Sequence, residues 1–312
     1  MSSVSGVHHV AIGVKNLETM KSFYRDALGF TEVFAEFDQS EQELMHEVVR
    51  APHVVFGGVI LKQKAGGILI ELIRMTSPVA RSIRKDFRYG DIGVAKITVA
   101  VSDVRTAYEE LKDKVNFCSR PKLAAITGWG DYSFVYCKDP EGNLIELFSM
   151  TKVGAKGRFG GARWIGISVT NLERSLSFYQ KTLGFRVVMM NIHEGFSGLV
   201  DEVSGGKDTR VRSCLLATTS KDDGMIELFE VLKPRGRSIP FATMWGDYGY
   251  LQVCFNCDDI REVKIRCENM GMEFLCAPKR MKEGIPDYPG EFLYGKDPDG
   301  IPIEFLNLPN TI

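Results

Sequence analysis

Four glutamates in this chain each stand alone inside an apolar run: Ile70-Glu71-Leu72, Ile145-Glu146-Leu147, Ile226-Glu227-Leu228 and Ile303-Glu304-Phe305. A carboxylate has no place in such a run unless something compensates it, because an unpaired buried charge costs several kcal/mol. One glutamate of this kind could be an accident. Four at matching positions imply a metal ion, a basic side chain or a water-filled concave face in each case. The chemistry open to them is metal ligation and proton transfer. A solvated sheet face opposite a helix explains any single one of them equally well. The other donors of note are the adjacent pair His8-His9 near the start of the chain and Gln252 near its end.

The elements that must position these groups are read from the opening stretch, His8 to Phe30. Val10, Ile12 and Val14 alternate with His9, Ala11 and Gly13, which is the period of a strand. Asn16 is a good N-cap, Leu17, Met20, Tyr24 and Leu28 recur at helical spacing, and Gly29 stands where a helix needs a left-handed residue to stop. Three further strands are expected over residues 31–37, 53–63 and 68–75, with Ala65-Gly66-Gly67 as a turn. The same strand-helix-three-strand unit recurs from Gly93. It has a strand at 96–101, a helix over 104–114 capped by Asp103, strands near 116–123, 132–138 and 144–149, and a turn at Asp139-Pro140-Glu141-Gly142-Asn143.

Residues 151–162 contain four glycines and no apolar periodicity, and read as a linker. Across it the sequence repeats at an offset of 155 to 158 residues. Phe23-Tyr24 and Leu28-Gly29-Phe30 return as Phe178-Tyr179 and Leu183-Gly184-Phe185. Gly90-Asp91-x-Gly93 returns as Gly246-Asp247-x-Gly249, and Asp139-Pro140-x-Gly142 as Asp297-Pro298-x-Gly300. The expected organisation is a first half at 1–153 with units near 6–75 and 91–150, a linker at 154–162, and a second half at 163–312 with units near 163–232 and 247–308.

Composition narrows the function classes. The chain is 44% hydrophobic and 25% charged, as expected of a globular protein. Lys plus Arg number 39 against 40 Asp plus Glu, and the basic residues are scattered, so no footprint for nucleic acid or anionic membrane is present. No signal-peptide pattern opens the chain and no run reaches the length of a membrane span. Seven cysteines, an odd number, with only Cys254 and Cys257 at short spacing, read as reduced thiols of a cytoplasmic protein.

The strand-opening His before Val-Ala-Ile, the Phe-Tyr-x-x-x-Leu-Gly-Phe helix end, the Asp-Pro-x-Gly-Asn turn and the terminal Ile-Glu-Leu strand together resemble the vicinal oxygen chelate superfamily. This is the glyoxalase, bleomycin-resistance and extradiol-dioxygenase group. The resemblance covers roughly Gly6 to Leu308 and implies an α+β fold. In it four βαβββ modules pair into two cup-shaped mixed sheets with the helices outside, each cup holding a metal between first and last strands. Carried over position by position, the first-strand ligand sites are His9, Lys96, Trp164 and Gln252, and the last-strand sites are Glu71, Glu146, Glu227 and Glu304.

Two pairings remain open at this point. If module one closes with module four, one cup holds His9, Glu71, Gln252 and Glu304, and the other holds Lys96, Glu146, Trp164 and Glu227. If sequence neighbours pair, the cups hold His9, Glu71, Lys96, Glu146 and Trp164, Glu227, Gln252, Glu304. Lys as an ammonium and Trp have no lone pair for a cation. The first pairing is preferred because it gathers every ligating type in one cup, and residues 75–89 are long enough to cross between cups. In the other cup Lys96 stands in for the ion as a buried ion-pair partner.

On this resemblance the expected function is that of a divalent-metal-dependent glyoxalase-like lyase or isomerase. It would act on a small α-hydroxy carbonyl or thioester substrate through a metal-chelated enediolate, with Glu71 or Glu304 moving the proton. The metal would be Zn, Ni, Mn, Co, Mg or Fe. Glyoxalase I of this family grips glutathione through an Arg and an Asn whose positions here are Gly13 and Met75, which argues against glutathione. The alternatives are an extradiol-type dioxygenase, which lacks its second His here, and a non-catalytic sequestering protein. The expected partner is a small molecule, with no nucleic acid or membrane, and the chain is expected to be a monomer (a pseudo-dimer) or a homodimer. His8 is expected to face away from His9, while His46, His53 and His193 read as isolated residues. Trp129–Tyr132 and Trp245–Tyr248 share the sequence Trp-Gly-Asp-Tyr and read as packing motifs, with Trp129 or Tyr248 able to line a cup.

Overall fold

The computed structural model describes residues 4–126, 128–151, 155, 157–191, 197–218, 224–281 and 290–308. The first module contains β1 (Val4–Gly13), α1 (Leu17–Leu28), β2 (Glu32–Glu41), a short 3-10 turn and α2 (His46–Val49), β3 (Val55–Lys62) and β4 (Leu69–Ser77). The second contains β5 (Gly93–Val101), α3 (Val104–Leu111), β6 (Asn116–Phe117), β7 (Lys122–Ile126), β8 (Gly130–Lys138) and β9 (Leu144–Met150). The third runs β10 (Phe159–Ser168), α4 (Leu172–Leu183), β11 (Arg186–Asn191), α5 (Asp201–Ser204), β12 (Arg210–Ala217) and β13 (Met225–Lys233). The fourth runs β14 (Gly249–Cys257), α6 (Ile260–Glu268), β15 (Glu273–Phe274), β16 (Lys279–Arg280), β17 (Glu291–Lys296) and β18 (Pro302–Asn307).

Local chemistry sets the helix ends as expected. The Asn16 side chain accepts from Thr19 N, and Gly29 closes α1 at φ 76°. Helix α3 stops at Leu111, three residues short of the expected end. The strand expected over 116–123 breaks into β6 and β7 around Pro121, which cannot donate to a ladder. The expected linker is shorter than its glycine content suggested. Phe159–Ala162 already belong to β10, and Gly160, Gly161 and Ala162 are buried there. The helical turns over 43–49 had no strong periodicity to announce them.

The sheets settle the pairing. One is ordered β15-β17-β18-β14-β1-β4-β3-β2 and the other β11-β12-β13-β10-β5-β9-β8-β6, with β16 on β17 and β7 on β8. Modules one and four therefore share one sheet, and two and three share the other. In each sheet the two first strands meet antiparallel, β1 with β14 and β5 with β10, and each lies parallel to its own module's last strand.

The repeated motifs do structural work across modules. Tyr24 donates from its hydroxyl to Asp139 at 3.2 Å, and its counterpart Tyr179 donates to Asp297 at 3.2 Å. Glu141 then accepts from the Lys15 and Asn16 backbone amides at the start of α1, as Asp299 accepts from Thr170 before α4. The Phe-Tyr and Asp-Pro-x-Gly motifs therefore clamp each odd module's helix to the following module. In the Gly-Asp-x-Gly repeats, Asp91 accepts from Arg88 N at 2.9 Å and binds the Arg237 guanidinium, while Asp247 accepts from Arg81 N at 2.7 Å. These contacts lace together the two segments that cross between sheets. All seven cysteines are free, and no helix among the described residues is long and apolar enough to cross a membrane.

Candidate metal and active site

The register explains why one residue of each first strand faces one glutamate. His9 pairs with Leu69, two residues before Glu71, and Trp164 pairs with Met225, two before Glu227. Thr98 pairs with Glu146 and Cys254 with Glu304, so Lys96 and Gln252 stand at the same offset. Strand alternation then puts all of these side chains on the concave face, opposite the face on which Val10 and Ile12 meet the helix.

In the first cup the structure brings together all four residues singled out from the sequence. His9 Nε2 lies 3.2 Å from Glu71 Oε2 and 3.1 Å from Glu304 Oε2. It is buried, yet it makes no aligned hydrogen bond. Gln252 donates through Nε2 to Glu304 Oε2 at 2.6 Å, and its Oε1 accepts from the Trp245 indole at 2.6 Å. His9, Glu71 and Glu304 offer ligand atoms that all lie within 4.8 Å of one another. An imidazole nitrogen between two carboxylates, aligned for a hydrogen bond with neither, is an arrangement that a divalent ion would complete. A hard oxygen set with one imidazole suits Zn, Ni, Mn, Co, Mg or Fe. Gln252 could join through Oε1 only by turning its amide and releasing Trp245. As it stands, it braces Glu304.

The electrostatics agree. Burial alone would make His9 harder to protonate, but Cys254 and Glu71 outweigh it and raise its proton affinity well above the ordinary value. The site draws positive charge. His8 is lowered to about 3 by burial and by His9, and so stays neutral.

His8 does not face away from His9. A register shift between Val7 and His9 bulges β1 there, and the two Nδ1 atoms meet at 2.9 Å. This contact occupies the Nδ1 side of His9 and leaves Nε2 for the cup, the outer-shell arrangement seen behind many metal-bound histidines. Cys254 also lies close enough to group with His8 and His9. Burial raises that thiol well above its ordinary value, so it stays protonated and is a poor ligand beside the carboxylates.

The first cup opens into a cavity of about 370 Å³ with Glu71 and Glu304 in its wall beside Phe56, Trp245, Phe292 and Tyr294. A second cavity of about 200 Å³ lies between the sheets near Lys15, Lys138 and Tyr248, and it contains none of the candidate ligands.

The second cup has taken a different course. Lys96 Nζ bonds to Glu146 and lies 2.8 Å from Glu227. Burial would favour the neutral amine, but the two carboxylates reverse this and hold the ammonium charged. Tyr132 donates to Glu146 at 2.7 Å, and Tyr132, Phe134, Phe148 and Trp164 pack over the trio. Trp164 is thus a wall residue whose ring lies 4.3 Å from that of Phe148.

Other candidates fall outside both sites. His46 binds Glu41 at 2.6 Å, His53 is exposed, and His193 lies outside the described residues. The two Trp-Gly-Asp-Tyr stretches are not structurally equivalent. One enters β8 and contributes Tyr132 to the second cup, while the other precedes β14 and contributes Trp245 to the first. Trp129 packs at the edge of the second cup's cluster, and Tyr248 lines the cavity between the sheets. His8, Trp245 and Tyr294 are the first-cup neighbours that sequence reasoning missed. Only the doubled His could have signalled one of them.

Comparison with known proteins agrees with this architecture. Glyoxalase I of Saccharomyces cerevisiae is 27% identical over an alignment of 235 positions that covers 69% of this chain and 64% of that protein. The crystal structure of glyoxalase I from Zea mays superposes with a TM-score of 0.63 at 16% identity, covering 98% of this chain and 92% of that one. A putative dioxygenase from Bacillus subtilis gives a TM-score of 0.60 at 16% identity, covering 99% and 87%. These two likenesses concern the fold. The family model for the Glyoxalase/Bleomycin resistance protein/Dioxygenase superfamily matches residues 6–147 and again 161–305, and the chain belongs to that superfamily.

Proposed function

We propose that the first cup binds one divalent metal ion through His9, Glu71 and Glu304, with Gln252 beside them, and catalyses a glyoxalase-like isomerase or lyase reaction on a small α-hydroxy carbonyl or thioester. The observation that carries this reading is the buried His9 Nε2 set 3.2 and 3.1 Å from two carboxylates, aligned for a hydrogen bond with neither, beside an open cavity that both carboxylates line. When bound, the ion would supply Lewis acidity toward two neighbouring substrate oxygens.

The chain's own residues divide the remaining work. Glu304 is braced by Gln252 Nε2 and is the anchored carboxylate. Among the described residues Glu71 has no such brace, which makes it the better proton carrier. It would take the proton from the carbon beside the carbonyl as the bonding electrons move to the carbonyl oxygen, and return it to the neighbouring carbon. Trp245, Tyr294 and Phe56 wall the cavity against water. His8 meets the Nδ1 side of His9, away from the Nε2 that faces Glu71 and Glu304, so it does not provide the second imidazole that a dioxygenase set requires on that side.

The test is Glu71→Gln, assayed on the hemithioacetal of phenylglyoxal and 2-mercaptoethanol. Activity should fall at least 100-fold while the protein keeps its metal. Full activity in this variant would overturn the assignment.

A further inference from the structure

We propose that the cavity between the two sheets is a second ligand site, which takes a small organic anion: a carboxylate or phosphate head on a flat or branched apolar body. It does not depend on a metal in the first cup.

The cavity measures about 200 Å³ and is bounded by parts of both sheets and by the two segments that cross between them. An engineered apolar cavity of about 150 Å³ holds benzene, so one ring with a small head group fits here. Ile83, Ile92 and Ile239 from the crossing segments, Leu251 from β14 and Ile301 from the turn before β18 make the wall apolar. The crossing segments are tied to each other. Ile83 N donates to the Tyr248 carbonyl at 3.0 Å, and Tyr248 N donates to that of Arg81 at 2.8 Å. The space is thus formed in advance, which spares a ligand the cost of ordering it.

Basic residues dominate the charged lining, with Lys15, Arg84, Lys85 and Lys138 against Glu141 alone. Arg84 is already spent: its guanidinium donates to the Arg237 and Ser238 carbonyls and lies 3.6 Å from Asp91. Glu141 is spent too, accepting from the Lys15 and Asn16 backbone amides at 2.8 to 3.0 Å, at the positive end of α1. The carboxylates of the crossing segments are also engaged, Asp86 and Asp91 by Arg237, and Asp247 by the Arg81 and Met244 amides. The three lysines are left. Lys15 Nζ lies over the Tyr248 ring at 5.5 Å, Lys138 Nζ reaches the Phe87 carbonyl at 3.4 Å, and Lys85 makes no side-chain bond, so none of them has a carboxylate partner among the described residues.

The hydroxyls of Ser82, Thr243 and Tyr248 line the same space, and among the described residues none of them makes a hydrogen bond. Ammonium groups and O–H donors beside an apolar wall match an anionic head on an apolar body. A neutral molecule would use the wall alone, and a cationic one would be repelled.

The test is calorimetric titration of the full chain, metal-loaded and again after chelator treatment, with benzoate, phenyl phosphate, benzyl alcohol and benzylamine. At least one of the two anions should bind roughly tenfold or more tighter than benzyl alcohol and benzylamine, and should weaken in high salt. Its affinity should be the same with and without metal, and the tighter of the two anions identifies the head group. Lys15→Gln combined with Lys85→Gln, both at exposed positions, should weaken that anion by roughly fivefold or more and leave benzyl alcohol unaffected. Thr243→Trp, which puts an indole into the space, should abolish binding. Anions that bind no tighter than benzyl alcohol, that bind only when metal is present, or that keep full affinity in the double lysine variant would overturn the proposal, and so would a cavity that takes none of the four probes and holds water only.

Discussion

Replacing Lys96 with Met would expose how the second cup is held together. The Lys96 and Glu146 side chains are each 2% exposed and that of Glu227 is 13% exposed, so Met would leave two carboxylates facing each other with almost no access to water. Removing one partner of a buried ion pair typically costs roughly 3–5 kcal/mol, because the other charge stays buried without compensation. A chain of this length has an unfolding entropy at which 1 kcal/mol shifts the midpoint by about 1.5 °C. The expected loss is therefore about 5–8 °C near pH 8. The sign with pH also follows. Buried carboxylates without a cation take up protons more readily than in the unfolded chain, so the variant should recover part of its stability as the pH falls toward 5. Replacing all three charged residues together, as Lys96→Met with Glu146→Gln and Glu227→Gln, should restore most of the loss. Differential scanning fluorimetry at pH 5 and pH 8 measures this. A Lys96→Met variant within about 1 °C of wild type at both values would refute the view that the ammonium replaces an ion in this cup.

Two further outcomes are expected. His9→Ala and Gln252→Ala should each weaken metal binding, the second by about 10–100-fold as for other residues that orient a ligand, whereas Lys96→Ala should leave metal affinity unchanged; competitive chelator titration distinguishes them, and an insensitive Gln252→Ala would remove Gln252 from the site. Asp297 and Asp139 are pushed up to about 7 and about 6, chiefly by burial, so the folded chain holds protons there that the unfolded chain has released. Their contribution to stability is present below about pH 4 and lost as the pH rises through those values, by at most about 1.4 kcal/mol per pH unit for each group. Asp297→Asn should accordingly be weaker than wild type at pH 5 and gain on it toward pH 8 in urea denaturation, and parallel curves would show that the buried carboxyl does not titrate this way.

The fold was legible because its signals are local and repeated. Asn16 and Gly29 announce α1 at both ends, and the spacing of the Ile-Glu-Leu strands identifies four equivalent last strands. The pairing of modules one and four was reachable because residue type alone separates His9 and Gln252 from Lys96 and Trp164. What the sequence hid depends on backbone irregularity and long-range packing. Alternation places His8 opposite His9, and only the bulge between Val7 and His9 turns it toward its neighbour. Trp245 and Trp129 share four residues of sequence, and only topology sends one to the first cup and the other to the edge of the second. The linker looked longer than it is because glycines that approach another backbone closely read like glycines of a loop: a Cβ on Gly161 would lie 2.2 Å from the Gly66 carbonyl oxygen.

The most direct test of the account is the metal content of the purified chain, measured by elemental analysis and by calorimetric titration of the chelator-stripped protein with Ni and Zn ions. The account predicts one tightly held divalent ion per chain, lost in His9→Ala and in Glu304→Ala and retained in Lys96→Ala. A wild-type chain that takes up no ion, or one whose ion survives the loss of His9, would contradict it.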